Sequence, residues 1–347
     1  MPPIPIHSEE AIRLSIKNLK TFFFLDEGLL KAVNGVSFDL RKREVIGIIG
    51  ESGCGKSVLV RSLINIIRKP GYIISGDIKL IQEDGNEINI SKLRPTDRTL
   101  RKIRGREISI IFQEPMTSLS PVHTVGSQIL ESFLLHRKIS VSEAKSATID
   151  MINAVGIPNP EQRYHEYPYQ LSGGMRQRIM IAMALSCKPK ILIADEPTTA
   201  LDVTVQAQIL DLIGSLKEKY DTSIIYITHD LGVIAETSDI VCVMYLGRIV
   251  EIATTKEIFA NPQHPYTQAL IKSIPRIDKA NQKLDPIQGT VPVPINLPWQ
   301  CSFYNRCEFA TPKCSNSVPS LQGSNYHKVS CFLHSSLEEK DDEWSRI

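Results

Sequence analysis

A chain of 347 residues, 42% of them hydrophobic and 22% charged, can bury a sizeable core, which excludes a wholly disordered protein and leads to an expectation of one large or two modest domains. Forty Lys and Arg against 38 Asp and Glu leave a net charge of +2, so overall charge argues for neither nucleic acid nor an acidic membrane as partner. No run of 18 apolar residues offers a bilayer span, and the start MPPIPIHSEE lacks the basic-then-apolar pattern of a secretory signal; a cytosolic chain is expected.

The first predicted element of note is Val45–Ile49, an unbroken apolar run before Gly50 that suits a strand buried on both faces. The basic stretch Arg94–Arg106 reads as a solvated loop or helix face rather than a nucleic-acid contact. From Met116 to Gln170 no strong strand run occurs, whereas Thr124–Arg137 and Val141–Val155 have helical periodicity, as expected of a helical insertion. Ile191–Ala194 and Ile224–Ile227 repeat the buried-strand character, and Val203–Lys217 between them is helical. Strands alternating with helices predict an α/β fold with a mainly parallel sheet covered on both sides. After Ile274 the texture changes: Pro275, Pro286, Pro292, Pro294 and Pro298 mark a linker or extended wrap, and Leu337–Ile347 is a charged tail. The expected division is a domain over 1–265, with the helical insertion at about 116–170, and a C-terminal extension over 266–347.

Gly50-Glu-Ser-Gly-Cys-Gly-Lys-Ser57 follows the first buried strand and fits the G-x-x-x-x-G-K-[ST] phosphate-binding loop. Its glycines let the main chain curl so that N–H groups face phosphate oxygens, and the helix starting near Lys56 adds its positive end. Gly50, Ser52, Gly53, Cys54, Gly55, Lys56, Ser57 and Val58 are the candidate nucleotide contacts, with no catalytic part for the Cys54 thiol. Lys56 would reach the β- and γ-phosphates and the Ser57 hydroxyl would ligate Mg²⁺. On the same kind of sheet, Asp195 at the end of Ile191–Ala194 can hold Mg²⁺ through water, and Glu196 can polarise the water that attacks the γ-phosphate.

Leu171-Ser-Gly-Gly-Met175 then decides the family, because Ser172 precedes Asp195 by 23 positions, room for one helix over Met175–Leu185. Here the sequence resembles the ATP-binding subunits of ABC transporters, a P-loop NTPase fold whose signature is LSGGQ, over about the first 270 residues. Gln113 matches that family's Q-loop, Ala200-Leu-Asp202 its D-loop and His229 its switch histidine. The resemblance implies a head-to-tail pair of subunits sandwiching two ATP molecules. Ser172, Gly173 and Gly174 would touch the γ-phosphate held by the partner's loop, and Asp202 would relay geometry across the pair. His229 would hold the γ-phosphate and attacking water in line, and Gln113 would touch Mg²⁺ or that water. An aromatic from the loop after the first strand would stack on adenine, with Phe22 fitting the register better than Phe23 or Phe24; at least two of the three are expected to be core.

Met175 departs from the signature's Gln, yet Leu171–Arg178, Phe112–Pro121 and His264-Pro-Tyr-Thr267 resemble the peptide and nickel importer branch, its D-type ATPase subunits in particular. That implies ATP hydrolysis driving uptake of di- or oligopeptides from the cytoplasmic face of the membrane. The implied partners are two membrane permease subunits, a second ATPase subunit (identical or a paralogue) and an extracytoplasmic substrate-binding protein, with no nucleic acid. Nickel or another small solute is the alternative cargo, and a soluble ABC-type ATPase acting on nucleic acid or ribosomes is the rival class.

Four of the seven cysteines, Cys301, Cys307, Cys314 and Cys331, fall in the last 47 residues. In a reducing compartment clustered thiols suit metal ligands better than disulfides. The wide spacing lacks the close pairs of a zinc ribbon, and the importer branch carries a similar pattern, which favours a [4Fe–4S] cluster; Zn²⁺ and no metal remain the alternatives. His327 and His334 nearby are expected at the surface.

Overall fold

Val45–Ile49 forms a strand with all five residues buried, the placement its unbroken apolarity demands. It belongs to a computed structural model that describes residues 11–113, 118–199, 201–273, 287–324 and 327–334. The chain divides into two units, Met1–Lys92 with Thr228–Ile347, and Leu93–Ile227.

The first unit holds two sheets. Strands Ile12–Leu25 and Gly28–Arg41 pair antiparallel, and Gly71–Ile81 and Glu87–Asn89 extend the pair to four strands. In the other sheet, Val45–Ile49 lies parallel to Ile240–Tyr245, which pairs antiparallel with Arg248–Thr254. His327–Val329 joins the far side of Arg248–Thr254, so the end of the described chain is woven into this sheet. Helix Lys56–Leu63 follows the buried strand and sets Leu59, Val60 and Leu63 into the core.

The second unit has a parallel trio, Ile108–Ile111, Ile191–Asp195 and Ser223–Ile227, in the order that places Ile191–Asp195 centrally. The two helices expected in the insertion form over Val125–His136 and Val141–Ala154, and a third, Pro160–Tyr164, follows them. Thr124 caps the first through the Ser127 N–H, and Ser140 with Glu143 makes a capping box on the second. Helix Gly173–Leu185 leads into the central strand, and Val203–Tyr220 precedes Ser223–Ile227. Met116 at the start of the insertion, Ala200, Pro275, Pro286 and the tail Leu337–Ile347 lie outside the described residues. Among the described residues no helix is long and apolar enough to cross a membrane.

Candidate functional site

The loop Gly50–Ser57 leaves the buried strand through Gly50, whose φ of 151° and 2.3 Å clearance from any added Cβ to the Met244 carbonyl admit glycine alone. Gly55 caps the helix Lys56–Leu63 at φ 103°, where a Cβ would fall 2.1 Å from the Ala32 carbonyl. Lys56 is 7% exposed, and its Nζ donates to the carbonyls of Gly50 (2.6 Å) and Glu51 (3.0 Å), so its ammonium sits over the loop where phosphates would enter. Ser57 and Val58 are half-buried in the first helical turn, while Ser52 and Gly53 are exposed on the open side. The Cys54 thiol is buried, and burial pushes its pKa up. Its main chain does the structural part: the Cys54 carbonyl accepts from the Gly247 N–H at 2.8 Å.

In the second unit the strand Ile191–Asp195 ends on the two carboxylates. Asp195 is 6% exposed, and Glu196 turns out of the strand with a left-handed φ of 49°, a conformation a β-carbon disfavours. Contacts with Ile227, Gln113 and Thr199 hold Glu196 there. Its N–H donates to the Ile227 carbonyl (2.7 Å), and its Oε2 accepts from Gln113 Nε2 (2.8 Å) and Thr199 Oγ1 (2.9 Å). The structure thus brings Gln113 and Glu196, 83 residues apart in sequence, into direct contact.

Ser172 is the N-cap of helix Gly173–Leu185, its Oγ accepting the Met175 N–H at 3.3 Å. Ser172 and Gly173 are exposed and Gly174 half-buried, which leaves the helix's positive end open to an anion. Asp202 caps helix Val203–Tyr220 through the Val205 N–H (2.9 Å). His229, in the first unit, is exposed beside Asp230, which caps helix Leu231–Thr237. Gln177, passed over in the sequence, is 1% exposed and donates to the Pro197 carbonyl, which ties the signature helix to the turn after Glu196. A polar residue two positions past the signature on an otherwise apolar helix face was the available cue.

The aromatic expected from a loop lies instead inside a long strand. Phe22 pairs with Tyr72 across the antiparallel sheet, and the turn comes only after Leu25. None of the three phenylalanines is buried: Phe22 and Phe23 are half-buried and Phe24 is 55% exposed against Tyr72. The core placement expected for two of them is therefore corrected; they lie near the end of a strand, beyond the region it packs. Phe22 lines a cleft of about 990 Å³, with Lys31 Nζ 5.8 Å from its ring centre.

The segment His264–Thr267 serves the phosphate loop. His264 caps helix Pro265–Lys272 by accepting the Tyr266 N–H at Nδ1, and burial holds its pKa down at about 4, keeping it neutral. Tyr266, fully buried, accepts the Glu51 N–H at its hydroxyl (2.8 Å). Glu251, with no exposed surface, accepts the N–H groups of Gln263 (2.8 Å) and His264 (2.9 Å) and lies 2.5 Å from His327 Nε2. His327 is thus 7% exposed, not a surface residue, because strand His327–Val329 carries it onto that carboxylate; His334 is exposed as expected.

Cys301, Cys307, Cys314 and Cys331 all line one cavity of about 120 Å³, walled also by Phe303, Phe309 and Phe332. Burial pushes the Cys301 thiol up to about 12 and raises those of Cys307 and Cys331. Among the described residues, however, no three His, Cys, Asp or Glu side chains converge as ligands of a metal ion. The expected ligand set is therefore a shared cavity wall rather than a closed coordination site.

A buried strand feeding a glycine loop, a lysine over it, and a strand ending in a held carboxylate together define a P-loop ATPase. The ABC transporter family profile matches residues 33–199, and that of the oligopeptide/dipeptide transporter C-terminal region matches 250–314. The chain is 48% identical over 334 residues to the oligopeptide transport ATP-binding protein AppD of Bacillus subtilis, covering 96% of this chain and 99% of that protein. It is also 48% identical over 330 residues to the dipeptide transport ATP-binding protein DppD of the same organism, covering 94% and 96%. Among solved structures, cbiO1 from Clostridium perfringens, part of the ABC transporter complex cbiONQ, aligns with TM-score 0.60 at 28% identity over 73% of this chain and 92% of that one. The dimeric cassette MJ0796 aligns with TM-score 0.61 at 25% identity, covering 70% and 98%. The chain belongs to the ATP-binding proteins of the ABC transporter family and carries the C-terminal region of its oligopeptide/dipeptide members.

Proposed function

We propose that this chain is the ATP-hydrolysing subunit of an importer for di- or oligopeptides, working at the cytoplasmic face of the membrane. The observation that carries the peptide assignment is the 48% identity, over 96% of the chain, to a protein of oligopeptide transport, joined to the C-terminal match over 250–314. The partners in this reading are two permease subunits, a second ATPase subunit and an extracytoplasmic substrate-binding protein. The dimeric state of the cassette MJ0796 supports pairing.

In this reading residues 1–265 bind nucleotide and 266–347 form the extension. The N–H groups of Ser52, Gly53 and Gly55, with those of Lys56, Ser57 and Val58, face the phosphates; the Cys54 N–H, which here donates to the Glu51 carbonyl at 3.3 Å, turns to join them, and the Lys56 ammonium moves from the Gly50 and Glu51 carbonyls onto the phosphates. The donor set fits a hard cation: the Ser57 hydroxyl, the Asp195 carboxylate and the Gln113 amide oxygen would hold Mg²⁺, which supplies charge neutralisation at the phosphates. Glu196 orients the attacking water and takes its proton, with Gln113 and Thr199 fixing its carboxylate. Ser172, Gly173 and Gly174 meet the γ-phosphate on a partner, Asp202 joins the pair, His229 aligns the γ-phosphate, and Phe22 supports the base. ATP binding then closes the pair and phosphate release reopens it, a population shift passed to the permease.

Deletion of the gene followed by uptake of labelled dipeptides, longer peptides and nickel tests the cargo. Loss of peptide uptake alone supports the reading; loss of nickel uptake alone replaces its substrate. The cysteine cavity enters as a candidate [4Fe–4S] site, with Zn²⁺ as the alternative, on the strength of four soft donors around one space. If four thiolates hold a cluster, anaerobically purified protein is brown and contains about four irons per chain. Colourless protein with stoichiometric zinc, or with no metal, removes the iron–sulfur assignment.

A further inference from the structure

Glu51 is the second residue of the phosphate loop, and it is the one carboxylate among Gly50–Ser57. A negative charge there opposes the anion the loop is built to receive. Lys56 Nζ lies 3.0 Å from the Glu51 carbonyl, so the residue stands next to the group that meets phosphate.

Arg306, 255 residues away, closes on that carboxylate with both arms: Nη1 to Oε2 at 2.7 Å and Nη2 to Oε1 at 3.1 Å. Its side chain is only 4% exposed. The remaining donors are engaged as well. Nε donates to the Gln288 carbonyl (2.8 Å), Nη2 to the Gly289 carbonyl (3.2 Å) and Nη1 to the Tyr245 hydroxyl (3.4 Å). The guanidinium also lies 5.8 Å from the Tyr245 ring centre and 5.9 Å from that of Phe303. With every N–H bonded inside the protein, this arginine has no donor left for a phosphate. The Glu51 N–H is likewise turned away, toward Tyr266. Glu51 therefore offers the nucleotide nothing but its charge, and Arg306 cancels that charge.

We infer that Arg306 is a positioning residue for nucleotide binding, which neutralises Glu51 and holds it out of the cradle so that the loop meets the triphosphate with the positive charge of Lys56 uncompensated. The inference rests on the ATPase reading. It separates a charge role from mere bracing, because Arg306→Gln and Glu51→Gln break the same contact but leave opposite net charges beside the phosphates.

The test is MgATP affinity by calorimetry, with KM and kcat of the full-length chain, for wild type, Lys56→Ala, Arg306→Gln, Glu51→Gln and the Glu51→Gln/Arg306→Gln pair. Arg306→Gln is expected to weaken ATP binding about tenfold and raise KM alike, with kcat within about twofold of wild type. Glu51→Gln, which keeps the cation, binds ATP as tightly as wild type or tighter, and the double variant returns to within about threefold of wild type. Equal losses in the two single variants, or wild-type binding by Arg306→Gln, overturn the inference. Should Arg306→Gln fail to fold, the other two decide: a tenfold loss in Glu51→Gln or in the double variant overturns it. Wild-type protein that fails to bind ATP, or a Lys56→Ala variant that binds it equally well, refutes the ATPase reading instead.

Discussion

Replacing Glu196 by Gln is expected to lower ATP turnover at least about a hundredfold while ATP affinity stays within about threefold of wild type. The substitution keeps the shape and removes the one property required, the ability to take a proton from water. Glu196 is held at a left-handed φ of 49°, by its own N–H on the Ile227 carbonyl and by Gln113 and Thr199 on its Oε2, a fixed placement that suits the proposed role. A residue placed against its backbone preference, with its main chain tied to Ile227 and its carboxylate tied to Gln113 and Thr199, is preorganised rather than incidental. Binding is expected to survive because the proposed phosphate contacts lie in the Gly50–Ser57 loop, not on Glu196. Single-turnover kinetics with labelled ATP would check this, and wild-type turnover in the variant would remove Glu196 from its role.

The second large effect is on stability. Glu251→Ala is expected to cost about 3–5 kcal/mol, because it strands the Gln263 and His264 N–H groups and His327 in a buried site without an acceptor. A fall of about 10 °C in the thermal midpoint follows for a unit of this size. The same cluster sets a pH dependence. Burial alone would push Glu251 up, but the hydrogen bonds from His327 and the two main-chain amides bring it below its ordinary 4.5. A carboxylate lowered on folding contributes stability above its unfolded value and loses it as pH falls below about 4.5. Burial lowers His264 from 6.5 to about 4, so folding disfavours its protonation and stability declines across that interval on acidification. Thermal melts should show midpoints falling between pH 6.5 and 4 through His264 and falling further below pH 4.5 through Glu251; a flat profile over the first interval would contradict the His264 assignment, and one below pH 4.5 the Glu251 assignment.

What was legible beforehand follows from which interactions are local. Val45–Ile49, Ile191–Asp195 and Ser223–Ile227 could be read as strands because parallel strands buried on both faces are unbroken apolar runs. The phosphate loop and signature were legible because each is one contiguous segment whose backbone geometry dictates its residues. The antiparallel sheet was not, since its two long strands are interrupted by register shifts between Ile16 and Leu19 and between Thr21 and Phe23, which spoil the alternation that marks a half-buried strand. That loss also misplaced Phe22, read as a loop residue. The burial of His327 is not legible in the sequence because its partner, Glu251, is 76 positions away and no periodicity links them. Arg306 is hidden for the same reason, its carboxylate partner lying in a motif whose variable positions carry no expected partner.

The distance between those two residues bears on how the protein is made. Glu51 leaves the ribosome 255 residues before Arg306, an interval of roughly 10–50 s at ordinary elongation rates. Throughout that time the nascent phosphate loop carries an unmatched carboxylate, and for the first 215 of those residues it also lacks the Tyr266 hydroxyl, so it cannot take its final form however soon its own strand and helix appear. Completion of this element is thus a late event in biosynthesis, of high contact order, although its residues are among the earliest translated. A ribosome stalled before Arg306 would hold a chain that has the entire phosphate-binding sequence but not the finished loop.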